Sequence, residues 1–288
     1  MRAEAAAASK PATSVRSALR AARTALASSE TADLDAQTLL AHVLGVDRSY
    51  LFARAETFLT AEQSARCQAA VDRRVAGEPI AYITGAKGFY DIELRVSPAV
   101  LIPRPETELL LEEALRLTER GAGFTVADIG TGSGALATAF ARQRPAAKVY
   151  ASEISRAALE IARQNTERNH AHVCYCEGDL AAPLIERGLQ VDLLMANLPY
   201  IASGDLAALE VSRFEPRLAL DGGADGLDLI RRLLTQIPSV CSEGAWALLE
   251  IGAEQGESVA GLVRDCVGAR CDILQDYAGM DRIARFRV

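Results

Sequence analysis

The 288-residue chain reads as an α/β protein: a mostly parallel sheet covered on both faces by helices, preceded by a small helical module. Three observations predict this. Helical periodicity dominates residues 14–76, strands and helices alternate after Pro103, and a glycine-rich turn joins the first of those strands to its helix. Half the residues are apolar and 24% are charged, a globular composition. At roughly 150 residues per domain, the length suggests two domains.

Over residues 14–76 the apolar side chains recur at helical spacing: Val15, Leu19, Ala22 and Leu26; Leu34, Leu39, Leu40, Val43 and Leu44; then Cys67, Ala70 and Val71. Several short helices follow from that pattern. Thr60 and Gln63 are spaced as a capping box for the third group, and Gly45 stands where a glycine ends the second. So small a helical module is hard to stabilise alone and is expected to pack on its neighbour. Residues 89–96 alternate as a half-buried strand that Ser97-Pro98 breaks. The expected organisation is a helical domain over 14–80, a β-hairpin linker over 81–103 and an α/β domain over 104–288. The Ala/Ser-rich first dozen residues are expected to be disordered.

In the α/β part, strands are predicted over 125–129, 148–152, 173–176, 191–196, 245–251, 270–274 and 283–288. Helices are predicted over 106–119, 134–143, 155–168, 226–237 and 254–265. Ligands of such sheets sit at the carboxyl ends of the strands, near the switch in strand order. Functional residues are therefore expected just after the strands.

Composition removes several classes. No apolar run approaches the roughly 18 residues of a membrane span, and Ala5 to Ala8 is too short and weakly apolar for a signal-peptide core. A cytoplasmic protein without membrane contact is expected. The six cysteines form no Cys-x-x-Cys pair and only three histidines accompany them, which argues for reduced, mostly buried thiols and against a metal site. Residues 1–80 carry 10 basic and 9 acidic side chains, whereas residues 81–288 carry 21 and 29. A net charge of -8 on that second part is a poor match for a phosphate backbone, although a local patch of arginines would alter this.

The first α/β strand ends in Ala127-Asp128-Ile129 and runs into Gly130-Thr131-Gly132-Ser133-Gly134. Such a loop lets its backbone approach a ligand closely, and the following helix N-terminus offers free N–H groups. Glu153, at the end of the next strand and 19 residues after Gly134, is placed to accept hydrogen bonds from both hydroxyls of a ribose. The loop also satisfies the relaxed dinucleotide pattern, Gly130-x-Gly132-x-x-Ala135, and a glycine-rich turn by itself is ordinary turn chemistry. Its tighter form, with an acidic residue two positions before it, resembles the first motif of class I S-adenosylmethionine methyltransferases. That resemblance implies an adenine contact at Asp179 with Leu180 as an apolar wall, two residues otherwise readable as a solvated turn and a core leucine.

The fourth strand ends in Asn197-Leu198-Pro199-Tyr200. Asn-x-Pro-aromatic at this place resembles the motif of methyltransferases acting on planar nitrogens such as adenine or cytosine amines or glutamine amides; as an ordinary turn it would carry no chemistry. The lone pair of such a nitrogen is delocalised, so the enzyme must fix both N–H groups and aim what density remains. The Asn197 side-chain oxygen and the Leu198 carbonyl can each accept one N–H, while Tyr200 packs on the flat face of the group.

The wider pattern selects among these nitrogens. Residues 78–85 (Glu-Pro-Ile-Ala-Tyr-Ile-Thr-Gly) and 100–108 (Val-Leu-Ile-Pro-Arg-Pro-Glu-Thr-Glu) stand upstream. Residues 215–227, Glu250-Ile251-Gly252 with Gln255, and residues 276–282 stand downstream. Together with the loop and the Asn motif they resemble the release factor glutamine methyltransferases (PrmC/HemK family) from about residue 14 to the C-terminus. The resemblance implies a Rossmann-like, seven-stranded class I domain, a helical N-terminal domain that helps dock the release factor, and methylation of the glutamine in its Gly-Gly-Gln loop. It implies S-adenosylmethionine bound by Gly130, Thr131, Gly132, Ser133, Gly134, Glu153, Asp179, Leu180 and Asn197. It implies substrate held by Asn197, Leu198, Pro199 and Tyr200, with Asn197, Pro199 and Tyr200 catalytic. No strong base is evident, and none is needed if the methylated amide sheds its proton after transfer.

Residues 104–108 also read as a helix start, with Pro105 in the first turn and Glu106 and Glu108 favouring the dipole; the resemblance implies that they border the cleft, with no catalytic step assigned to them. Residues 215–226 read equally as a lid or as a connector. One departure stands out: the family has Asn-Pro-Pro-Tyr, and Leu198 here gives the Asn-Leu-Pro-Tyr typical of ribosomal RNA adenine dimethyltransferases. The carbonyl survives, but the locked φ of proline is lost. Three alternatives follow: another protein glutamine, as in a ribosomal protein; an rRNA adenine amine; and a nicotinamide oxidoreductase on the same loop. The acidic charge and the flanking motifs disfavour RNA. No Tyr-x-x-x-Lys is present, and His42, His170 and His172 have no evident partner for hydride chemistry.

Overall fold

A seven-stranded sheet carries the larger part of the chain in this computed structural model, which describes residues 13–119, 121 and 123–288. The Ala/Ser-rich first dozen residues lie outside the described range. Contacts divide the chain into two units, Met1–Gly85 and Ala86–Val288.

The first unit holds α1 (Val15–Ala25), α2 (Ala32–Leu44), α3 (Arg48–Ala53), α4 (Ala61–Val75) and α5 (Ile80–Thr84). The expected capping box forms at the start of α4: Gln63 N donates to Thr60 Oγ1 at 3.1 Å, and Thr60 N donates to Gln63 Oε1 at 2.9 Å. Gly45 ends α2 as expected. Val15, Leu39, Leu51, Val71 and Ile83 meet in one core. Asp35 is buried beside them, where Arg74 of α4 donates to its carboxylate at 2.8 Å, tying α4 to α2. The β linker expected from residue 81 does not start there. Tyr82 and Ile83 are buried, and packing Ile83 into this unit's core favours a helical turn through Thr84.

The second unit opens with a hairpin, β1 (Ala86–Phe89) and β2 (Ile92–Arg95). The single strand predicted over 89–96 is therefore broken. Tyr90 adopts φ 53° and reverses the chain, and its N–H is taken by the Glu108 carboxylate at 2.9 Å. The hairpin also belongs to the second unit, because Phe89, Ile92 and Leu94 join the same core as Leu110 and Phe140.

The main elements then follow as predicted, with ends displaced by a few residues: α6 (Pro105–Leu117), β3 (Thr125–Ile129), α7 (Ala135–Gln143), β4 (Lys148–Glu153), α8 (Arg156–Arg168), β5 (Val173–Glu177), α9 (Ala182–Ile185), β6 (Val191–Ala196), α10 (Asp228–Val240), β7 (Cys241–Glu250), α11 (Gly256–Val267), β8 (Cys271–Gln275) and β9 (Asp281–Arg287). The short α9 was not foreseen, and α10 runs past Pro238 because Val240 is fully buried in its last turn. The strand order is β5-β4-β3-β6-β7-β9-β8, parallel except for β9. Strand periodicity loads both faces. On β6, Leu193 and Met195 face the core that includes α6 and α7, while Leu194 and Ala196 face the core that includes α10 and α11.

The six cysteines are all free, but only Cys67, Cys176 and Cys241 are buried; Cys174 and Cys266 are exposed, so the thiols are less uniformly interior than expected. Among the described residues no helix is long and apolar enough to cross a membrane.

Candidate active site

β3 and β6 are neighbours at the switch in strand order, and the segments leaving β3, β4, β5 and β6 open into one cleft with a free volume of about 240 Å³. The glycine loop forms its floor. Gly130 turns with φ 71°, and its N–H and that of Thr131 donate to the Ser152 carbonyl at 2.9 and 3.0 Å, hooking the loop onto β4. Asp128, only 1% exposed, braces it from below: Thr131 Oγ1 donates to its carboxylate at 2.6 Å and Ala137 N at 3.1 Å. Burial pushes the Asp128 carboxyl up to about 6 despite these two hydrogen bonds. Buried Asn165 of α8 donates to the Ser133 carbonyl at 2.8 Å and to the Arg95 carbonyl at 2.9 Å, clamping loop and hairpin together.

Glu153 accepts Gly132 N on Oε2 at 2.9 Å and Ser155 N on Oε1 at 2.8 Å. A carboxylate has about four acceptor positions, so the two used here orient it and leave two for a ligand's hydroxyls. Asp179 stands after β5, with its carboxylate in an ion pair with Arg232 of α10. Leu180 is buried against the core and also lines the cleft, in the left-handed region at φ 50°.

The other wall is Asn197-Leu198-Pro199-Tyr200. Asn197 donates from Nδ2 to Thr107 Oγ1 at 3.0 Å. Leu198 is 4% exposed, and a Cβ on Gly130 would lie 2.9 Å from its Cδ2. The leucine that replaces the expected proline is thus held by packing on the glycine loop rather than by a locked φ. The next residues are supported from behind. Gln255 Nε2 donates to the Tyr200 carbonyl at 3.0 Å, and Gly226, at φ 78°, lies so near that a Cβ there would be 2.2 Å from the same oxygen. Ile201 and Gly222 complete the junction, with Ile201 N donating to Leu220 O and Gly222 N to Ile201 O. The segment 215–226 therefore does two jobs. Pro216, Leu218 and Ala219 line the cleft, while residues 221–226 buttress the Asn motif. Glu215, buried, fastens this segment to the stretch before α6 by accepting Ile102 N at 3.1 Å and by an ion pair with Arg104.

Tyr200 is half-buried, and its hydroxyl is 3.5 Å from Glu250 Oε1. Burial pushes that phenol up to about 12, reinforced by the Glu250 charge. Glu250 ends β7, is 1% exposed, and is pushed up to about 7 by burial; Thr107 and Tyr200 hydrogen bonds and the Arg282 charge oppose the shift.

The cleft therefore gathers Gly130, Thr131, Gly132, Ser133, Glu153, Asp179, Leu180, Asn197, Leu198 and Pro199. Gly134 and Tyr200 do not line it. Gly134 starts α7 packed against Ala162 and Tyr175, and Tyr200 points toward Glu250. Sequence reasoning left Asp128, Thr107, Arg232 and Glu250 without a role at the site. Only the acidic residue two positions before the glycine loop offered a signal for Asp128; the others lie far along the chain from what they touch. The groups fit a nucleoside-bearing ligand: an oriented carboxylate acceptor, an apolar wall at Leu180, and a loop whose side chains leave room for backbone approach.

Residues 17–85 match the PrmC N-terminal domain and residues 105–214 the methyltransferase small domain. A release factor glutamine methyltransferase from Moorella thermoacetica is 44% identical over 254 residues, covering 86% of this chain and 89% of that protein. One from Geobacter sulfurreducens is 41% identical over 261 residues, covering 90% of each. Among solved structures, a Pyrococcus furiosus methyltransferase aligns with a TM-score of 0.52 at 20% identity, over 76% of this chain and 96% of its own. A Thermus thermophilus 16S rRNA N2 G1207 methyltransferase, solved with AdoMet and guanosine, aligns at 0.53 and 16% identity, over 70% of this chain and 49% of its own. At such identities the two structures speak for the fold alone.

Proposed function

We propose that this chain, which belongs to the release factor glutamine methyltransferase family, methylates the side-chain amide nitrogen of the glutamine in the Gly-Gly-Gln motif of peptide chain release factors. S-adenosylmethionine is the cofactor, and it supplies an electrophilic methyl group on a sulfonium. The carrying observation is that Asn197, Leu198 and Pro199 open into the same cleft as the glycine loop and Glu153. That supports reading the Asn197 wall as an acceptor for planar N–H groups beside a carboxylate able to bind a ribose.

The geometry supports these tasks for the residues. Glu153 accepts the ribose hydroxyls with its two remaining positions, and Asp179 and Leu180 hold the adenine at its edge and face. Asn197, with Nδ2 already engaged by Thr107, has Oδ1 left to accept one amide hydrogen of the glutamine. The Leu198 carbonyl accepts the other, and Pro199 walls the amide plane. Fixing both hydrogens orients the nitrogen for in-line attack, so positioning supplies most of the rate. No side-chain base is required, because the methylated amide is a strong acid until it loses its proton. The net charge of -8 on residues 81–288 supports a protein over an RNA substrate. A release factor substrate also places the activity in the cytoplasm.

The test is transfer of labelled methyl from S-adenosylmethionine to a purified release factor, to a variant whose Gly-Gly-Gln glutamine is replaced, and to ribosomal RNA. Label is expected on the first alone. Label on RNA, or on both release factors equally, would contradict the assignment.

A further inference from the structure

We infer that Arg232 of α10 is a positioning residue of the cofactor site: by engaging one oxygen of Asp179 it presents the other to a base with a 6-amino group, so that the cleft selects a 6-aminopurine over a 6-oxopurine. The inference rests on the reading of Asp179 as the adenine contact and deepens it.

The turn after β5 is held in a fixed shape. Gly178 N donates to the Glu153 carbonyl at 3.0 Å, which sets the turn against the residue assigned to the ribose. Leu180 lies at φ 50°, a left-handed conformation that a non-glycine residue keeps only where its surroundings impose it. The next residue is gripped from outside: Ala181 N donates to Gln236 Oε1 of α10 at 2.8 Å. Four residues earlier on the same helix, and so on the same face, Arg232 Nη2 donates to Asp179 Oδ2. Helix α10 thus holds the turn once by its backbone and once by its carboxylate, from 55 and 53 residues along the chain.

The two grips do different things. Gln236 fixes where the turn lies, and Arg232 fixes how the Asp179 carboxylate is rotated. The Arg232 and Asp179 side chains are 50% and 43% exposed, and an ion pair so open to solvent adds little to stability. Both residues nevertheless line the cleft beside Leu180, where a ligand's base would meet them. With Oδ2 engaged, Oδ1 is left for the ligand, and a carboxylate already held in one rotamer loses less freedom on binding. An ionised carboxylate only accepts. A 6-amino group donates to it in a charge-assisted bond, whereas a 6-oxo group turns its lone pairs toward the same oxygen. A site of this kind discriminates strongly, because the mismatched ligand leaves the polar group unpaired. Arg232 acts on that choice through Asp179, with no contact of its own to the base required.

The experiment titrates S-adenosylhomocysteine and its 6-oxo counterpart, S-inosylhomocysteine, calorimetrically into the wild type, Arg232→Met and Asp179→Ala. No methyl acceptor enters, so the outcome is independent of which protein is methylated. The wild type is expected to prefer the amino ligand by about thirtyfold or more. Arg232→Met removes the guanidinium and leaves the Gln236 contact in place. It is expected to bind S-adenosylhomocysteine about tenfold more weakly and S-inosylhomocysteine as the wild type does. Asp179→Ala is expected to lose the preference altogether. An unchanged preference in Arg232→Met would overturn the role of Arg232. So would an equal loss for both ligands, the mark of a turn that has merely loosened, or a gain in affinity for the amino ligand, the mark of an arginine that competes with the base. If the preference is meanwhile lost in Asp179→Ala, those results leave the adenine reading of Asp179 standing. A preference retained in Asp179→Ala would overturn both.

Discussion

The two walls of the cleft are built by different means. The cofactor wall is local and made largely of backbone: Gly130, Thr131 and Gly132 donate to or beside their own neighbouring strand, and Glu153 is oriented by two main-chain N–H groups. The acceptor wall is assembled from residues far apart in sequence. Asn197 leans on Thr107, 90 residues earlier, and Tyr200 on Gln255 and Glu250, 55 and 50 residues later. A wall held by its own backbone tolerates change elsewhere in the fold. One held by distant side chains transmits it.

That difference is open to test. Glu153→Ala removes charge-assisted acceptors from the backbone-built wall, each worth roughly 1.5–3 kcal/mol. Cofactor affinity is expected to fall about tenfold to a hundredfold by calorimetric titration, with kcat at saturation little changed. Gly226→Ala strikes the other wall, where the new Cβ would meet the Tyr200 carbonyl at 2.2 Å in a left-handed backbone conformation. Strain of this kind is of order 1–3 kcal/mol, and it should appear as a lower melting temperature and a kcat reduced by about tenfold while cofactor affinity holds.

Asp128 gives a pH test of the cofactor wall. Its carboxyl is raised from 3.8 to about 6 in the folded protein, so the folded state holds that proton more tightly than the unfolded chain. The resulting stability is fully present below the unfolded value and is lost as pH rises through about 6. Asp128→Asn should flatten this part of the pH profile of denaturant unfolding. An unchanged slope would show that burial does not control the group.

Leu198→Pro is the mildest probe. It restores the locked φ of the family motif, keeps the carbonyl and gives up the leucine's packing on Gly130, so kcat is expected to stay within about threefold of wild type. A large loss would mean that the leucine has reshaped the acceptor wall.

The same contrast explains what was legible in the sequence. Glycines at positive φ, an acid at a strand end and period-two strands that load both faces are short-range patterns, so the sheet, the order of its motifs and the cofactor wall could be read from them. A hairpin was expected within 81–103 and is found there, but the single strand over 89–96 was misread because Phe89 to Val96 does alternate in type and only the reversal at Tyr90 splits it. Burial of Ile83 in the core of the helical unit, which extends to Gly85, is a tertiary effect with no local signature. Thr107 looked like part of a helix start, which it is, and nothing nearby in sequence announces its bond to Asn197. Glu250 was visible only as one letter of a family motif, since neither its burial nor its neighbours Tyr200 and Arg282 can be inferred from spacing.

The separation of the two walls is tested most directly by Asn197→Ala, with S-adenosylmethionine affinity and methylation of the Gly-Gly-Gln peptide measured on the same preparation. The expected result is loss of methylation with cofactor affinity within about twofold of wild type, because the proposed function assigns Asn197, which donates to Thr107, to the substrate and Glu153, oriented by Gly132 N, to the ribose. Retained methylation, or cofactor binding lost together with it, would contradict the account.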